Sequence, residues 1–160
     1  MLREKRRCQL WSWSLRMSAV DDVDELIERY HLALGEIVKG DPEPLKMLYS
    51  HREEVSLANP FFPPVSGWDK AAQNIERAAS RYWDGEIVGF EPVAKYVTSE
   101  LACVVEVERY RAKVGGREDI APMALRVTSI LRPEEGTWKV VHRHADPITI
   151  PQPAESVIQE

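Results

Sequence analysis

Cysteine is nearly absent: of 160 residues only Cys8 and Cys103 carry a thiol. One lies near the start and the other in an apolar run, which gives neither a disulfide framework nor the Cys/His spacing of a zinc site. Cys103 reads as a small buried hydrophobe. Long hydrophobic runs are missing too. No segment approaches the ~18 consecutive apolar residues of a membrane span, so no membrane partner is expected. The basic start could head a signal peptide, but residues 8–15 alternate Trp11 and Trp13 with Ser12 and Ser14, and Arg16 stops the run. There is no Gly-x-Ser-x-Gly, and Gly115-Gly116 sits between two strand patterns rather than ahead of a helix, which removes the serine-nucleophile and phosphate-loop readings. Basic residues are scarce after residue 16. The first 16 residues hold five bases and one acid, leaving 16 basic against 25 acidic groups in the remainder. So acidic a body repels phosphate backbones, and no nucleic-acid partner is expected. The expected compartment is the cytoplasm.

What is present is one domain's worth of chain. The regular pattern begins at Val20, so residues 1–19 read as a disordered extension or as sequence ahead of a true start at Met17. Residues 20–148 form the domain, and 149–160 a polar, frayed tail. Val23, Leu26, Ile27, Tyr30, Leu34, Ile37 and Val38 fall on one helical stripe, with Asp21 and Asp22 at the favourable end. Gly40 ends that helix, and Asp41-Pro42 starts a short one running through Leu48 and Tyr49. A brief strand over 53–58 precedes Asn59-Pro60, and Pro60, Pro63 and Pro64 predict a rigid loop. Trp68, Ala71, Ala72, Ile75, Ala78, Ala79 and Tyr82 predict a third helix. Strands follow over 87–97, 101–113, 120–131 and 137–146, with Gly115-Gly116 as a hairpin turn. Helices first and an antiparallel meander afterwards is an α+β layout with the helices on one face of the sheet.

Three places in this order, Tyr30, then Asn59-Pro60-Phe61-Phe62, then Ala121-Pro122-Met123-Ala124, resemble the active-site segments of ketosteroid isomerases. The end, from Arg126 through Gly136-Thr-Trp138 to His142-Arg-His144, resembles the closing hairpin of SnoaL-like proteins and of the calcium/calmodulin-dependent kinase II association domain. The chain is thus similar, over residues 20–147, to the nuclear transport factor 2-like superfamily. The resemblance implies a cystatin-like, cone-shaped α+β barrel, with three helices on a curved antiparallel sheet that wraps the first helix around a blind apolar cavity. It also places Asn59 where the isomerases carry their base and Ala124 where they carry an oxyanion acid. An amide takes up no proton near neutrality and a methyl group donates none, so isomerase chemistry of that kind is not expected.

The candidate residues each have two readings. Tyr30 faces the cavity and donates to a ligand oxygen, or is a core tyrosine bonded to a carbonyl. Asn59 orients a water or a ligand carbonyl, or is a turn residue before proline. Arg126 shares a strand face with Ala124 and awaits a carboxylate, or pairs with Glu106 or Glu108. His142, His144 and Asp146 alternate along one face; His144 is the candidate acid/base and His142 a ligand contact, and no metal is expected, since Asp146 sits at a strand end before proline. Trp83 is a pocket-wall or core residue flanking the third helix. With no cofactor expected, the function would be a lyase, isomerase or cyclase type of activity in a pocket for a hydrophobic molecule bearing a carbonyl or carboxylate. The alternative is a non-catalytic homodimeric binding or assembly module. Apolar residues on both faces of 101–107 fit a sheet covered on both sides, hence a homodimer.

Overall fold

The structure is a computed structural model that describes residues 18–159. Of the extension expected over residues 1–19, all but the last two residues lie outside the described residues. Helix α1 (Ala19–Ile37) begins in a capping box: Ser18 Oγ accepts from the Asp21 N–H at 3.2 Å, and the Asp21 carboxylate accepts from the Ser18 N–H at 3.0 Å. Two otherwise unpaired donors are satisfied at once, which starts the helix just ahead of Val20. Its buried stripe is Val23, Leu26, Tyr30, Ala33, Leu34 and Ile37. Helix α2 (Glu43–Lys46) is shorter than the pattern predicts, because Tyr49 instead bridges in parallel to Val140 and Ser50 donates to the Val140 carbonyl at 2.8 Å.

Strands β1 (Ser56–Asn59) and β2 (Phe62–Ser66) form a hairpin before α3 (Trp68–Ala79). They are followed by β3 (Tyr82–Val97), β4 (Ala102–Val114), β5 (Ala121–Glu134) and β6 (Thr137–Asp146). The six strands make one sheet in the order β2-β1-β6-β5-β4-β3. The layout is α+β, as the pattern implies, but the sheet is mixed, since β1 runs parallel to β6. The proline segment is a strand rather than a loop. Pro63 and Pro64 fit there because β2 is an edge strand, which can spare ladder donors. Likewise β3 starts at Tyr82, not near residue 87: Asp84 at φ 54° and a register shift between Trp83 and Glu86 carry the strand across the expected turn. A Cβ on Gly85 would sit 2.3 Å from the Val38 carbonyl oxygen, so glycine lets β3 press against the end of α1.

The core lies between the helices and the concave face of the sheet, and strand parity decides which side chains reach it. In β4, Ala102, Val104, Glu106, Glu108, Tyr110 and Ala112 are buried. Their β5 counterparts are Leu125, Val127, Ser129 and Leu131. In β6, Val140 pairs with Leu131 but His142 pairs with Ile130, so Val141 is an extra residue. This bulge inverts the alternation: Arg143 and Ala145 turn inward, and His142 and His144 turn outward. After β6 the chain is largely exposed, with one 3-10 turn at Ala154–Val157. Among the described residues no helix is long and apolar enough to cross a membrane.

Candidate functional site

A cavity of about 50 Å³ opens between the end of α1, α3 and the β1–β2 turn. Leu34, Ile37, Leu57, Ile75 and Leu125 make its apolar wall; Asn59, Tyr49, Tyr82 and Arg143 bring polar atoms to it. By the ~10–15 Å³ that a single water needs, this is room for a few waters or a small organic group. Phe61, packed 5.4 Å from Tyr82, stands at the wall formed by the hairpin.

The chemistry lies in a pair that sequence reasoning missed. Arg143 Nη2 donates to Glu108 Oε2 at 2.6 Å, with the two side chains only 8% and 0% exposed. Arg143 Nη1 and Glu108 Oε1 have no hydrogen-bond partner among the described residues. Burial pushes the Glu108 carboxyl up to about 7, against the pull of Arg143 and with the help of Glu106. Arg143 is buried as well, yet Glu108 and the surrounding tyrosines hold its guanidinium firmly in the charged form. Burial also raises the Tyr49 and Tyr82 hydroxyls to about 12 and Tyr30 well above its ordinary value. The site therefore combines a fixed cation, a carboxyl group able to exchange a proton near neutrality, and neutral phenols.

The expected site residues divide between this place and the opposite face. Tyr30 is buried below the pair, with its ring 6.0 Å from the Arg143 guanidinium carbon. Its hydroxyl has neither a carbonyl nor another partner among the described residues. It and Tyr49 influence each other's titration, and the Tyr49 hydroxyl likewise has no hydrogen-bond partner among the described residues. Asn59 fills the turn role. Its Oδ1 accepts from the Phe61 and Phe62 N–H groups at 2.9 and 3.2 Å, which locks the turn, while its Nδ2 is buried at the cavity without a partner among the described residues.

The other expectations need correcting. Arg126 is on the outer face, half exposed, and its Nε donates at 2.8 Å to Asp146, not to Glu106 or Glu108. Its strand partner Val107 shares that outer face. Ala124 pairs with the exposed Arg109, so it too is outside, and Met123 and Leu125 are the residues that turn inward. His142 and His144 lie outside because of the Val141 bulge. His142 Nδ1 is 2.8 Å from Ser56 Oγ, and its partial burial holds it below the usual histidine range. His144 is exposed, 3.7 Å from Asp146. Trp83 is half-buried and does not line the cavity; its neighbour Tyr82 does. Cys103 is also only half-buried, on the outer face. Among the described residues no cluster of three or more His, Cys, Asp or Glu side chains could hold a metal ion.

A six-stranded sheet folded against α1, with its polar groups gathered inside, defines a class of protein by shape. No protein-family model and no curated protein matches the chain. Solved structures do. A nuclear transport factor 2-like superfamily protein from Salmonella enterica serovar Typhimurium superposes with a TM-score of 0.70 at 20% identity, covering 84% of this chain and 94% of that one. A ketosteroid isomerase-like protein from Erwinia carotovora atroseptica gives 0.69 at 15% identity, over 83% and 98%. A proposed dehydratase of the same family from Streptomyces avermitilis gives 0.68 at 19%, over 82% and 98%. The chain therefore has the nuclear transport factor 2-like fold.

Proposed function

We propose that the chain binds a small, largely apolar molecule bearing a carbonyl or carboxylate and acts on it by acid–base chemistry of the lyase, isomerase or cyclase type. The supporting observation is the buried Arg143–Glu108 pair beside the apolar cavity, each partner with one hydrogen-bonding atom unused. An unused N–H on a buried guanidinium is costly unless a ligand or solvent meets it. A carboxyl titrating near neutrality beside it is suited to moving a proton. In this reading Arg143 holds the ligand oxygen, Glu108 is the acid or base, and Tyr49 and Asn59 orient the molecule. Steroid isomerase activity of the ordinary kind is not proposed, because the hairpin position offers an amide whose oxygen is already held by two backbone N–H groups.

A thermal-shift screen over small ketones, carboxylates and hydroxy acids tests the reading, run on the natural protein and on Arg143→Lys. The reading expects hits that Arg143→Lys loses, since lysine keeps the charge but not the planar fork. No hits, or hits that ignore the substitution, would move the assembly reading ahead. That second reading has its own observation. The outer face of β3 and β4 carries Ala94, Tyr96, Cys103, Val105 and Val107, with Tyr96 66% exposed. A second copy of the chain covering that face would make the homodimer.

A further inference from the structure

Glu106 and Glu108 are two buried carboxylates on the concave face of one strand. Glu106 is fully engaged: His31 Nε2 lies 3.0 Å from both its oxygens, and the His31 ring is stacked on Phe90 at 3.5 Å. Glu108 is only half engaged. It meets Arg143 through a single oxygen, and Arg143, which lines the cavity, keeps Nη1 without a partner among the described residues. A guanidinium fork is built to take both oxygens of one carboxylate, and Glu108 occupies half of it.

Resting on the small-molecule reading above, we propose that Glu108 is an internal stand-in for an anionic ligand. A small apolar carboxylate entering the cavity takes over Arg143, and Glu108 takes up one proton as it gives up the ion pair. The balance is simple. One O–H bond forms on Glu108 with a proton from solvent, no other bond changes, and the single guanidinium has one carboxylate counter-ion before and after. The surroundings favour this exchange over its alternatives. The groups that act on Glu108 are Arg143 from β6, Glu106 from its own strand, His31 and Tyr30 from α1, Tyr49 from the segment after α2, and Tyr82 from β3. Without Arg143, an ionised Glu108 would keep only the repulsion of Glu106 and a distant histidine already held by that glutamate. The phenols are neutral and have no positive charge to offer. Burial already raises Glu108 to about 7, so the proton is available near neutrality. Binding would then load the proton on the carboxyl that sits behind Arg143, the member of the pair that lines the cavity.

Titrations of the protein with isobutyrate and benzoate, and with isobutyramide and benzamide as neutral counterparts, followed by NMR between about pH 6 and pH 8.5, test this. Above about pH 7 the carboxylate affinity should fall about tenfold per pH unit, the slope of one proton taken up, while the amides bind independently of pH. Glu108→Gln should bind both carboxylates more tightly, with no slope. In the natural protein near pH 8, the Glu108 carboxyl carbon should move to its protonated position on adding isobutyrate, a measurement that needs no variant. A pH-independent carboxylate affinity overturns the proposal. So does a slope that survives in Glu108→Gln, which would put the proton on His31 or Glu106. Amides that bind where carboxylates do not would end this proposal and leave the pocket reading standing. If none of the four binds, the pocket reading falls and this one with it.

Discussion

The two faces of the sheet hold the same kinds of ion pair at the same distances and put them to different uses. On the outer face Arg126 meets Asp146 at 2.8 Å and Arg109 meets Glu91 at 2.5 Å, with both arginines half in water. On the inner face Arg143 meets Glu108 at 2.6 Å with almost no water contact. Solvent screens the outer pairs, and each such pair adds little to stability. Inside, desolvation makes each partner depend on the other, shifts the carboxyl's proton affinity and leaves Arg143 Nη1 and Glu108 Oε1 without partners among the described residues. Geometry is shared by the two faces; the dielectric is not.

The sharpest way to break that comparison is to remove one inner partner. Arg143→Met should destabilise the protein in urea unfolding by roughly 1.4 kcal/mol for each pH unit above about 7, because Glu108 must then keep a proton to stay buried without its partner. Adding Glu108→Leu should recover most of the loss. If the single variant is as stable there as the natural protein, the pair is not effectively buried. Next comes pH. Glu108 rises from 4.5 to about 7 on folding, so the native state holds its proton more tightly than the unfolded chain. The stability it contributes is complete below about pH 4.5 and is lost as pH rises through about 7, by about 3 kcal/mol. The natural protein should therefore lose that much relative to Glu108→Gln between about pH 4.5 and pH 8. His142, whose lowered proton affinity works in the opposite direction, is common to both proteins and cancels in the difference.

Smaller effects are expected outside. Val105→Glu on the outer face should halve the mass seen by light scattering at about 10 µM, by weakening the proposed dimer more than tenfold, about 1.4 kcal/mol. Its monomer should unfold normally. A mass that is already monomeric in the natural protein removes the dimer. Smallest of all, Arg126→Leu should leave the melting temperature within about 2 °C of the natural value, since the lost pair is half exposed. A drop as large as that of Arg143→Met would erase the distinction between the faces.

Much of the fold is legible in the residues: the α1 stripe from Val23 to Ile37, the helix after Gly67 and the long strands all lie close to where periodicity puts them. The site is less legible. Asn59 and Tyr30 were reachable, because a turn before proline and a tyrosine in an apolar stripe are local signals. Arg143 was hidden by simple alternation, which from buried Trp138 and Val140 sends His142 and His144 inward and Arg143 outward. The adjacent valines at 140 and 141 are the one trace of the bulge that reverses this. Glu108 was hidden for a related reason: on β4 the valines at 105 and 107 suggest the core face, yet pairing with Leu125 and Val127 turns Glu106 and Glu108 inward.

The sequence by itself determined the two long helices and the four long strands, their order, and the α+β class, because periodicity and turn chemistry act over a few neighbouring residues. Only the tertiary structure decided which side of each strand faces the helices. That choice depends on pairing register and on a one-residue bulge, and a one-residue slip exchanges every inward side chain for an outward one. It also decided that Glu108 holds its proton near neutrality, since that position sets burial and the nearby Glu106 against Arg143, a residue 35 positions away in the chain.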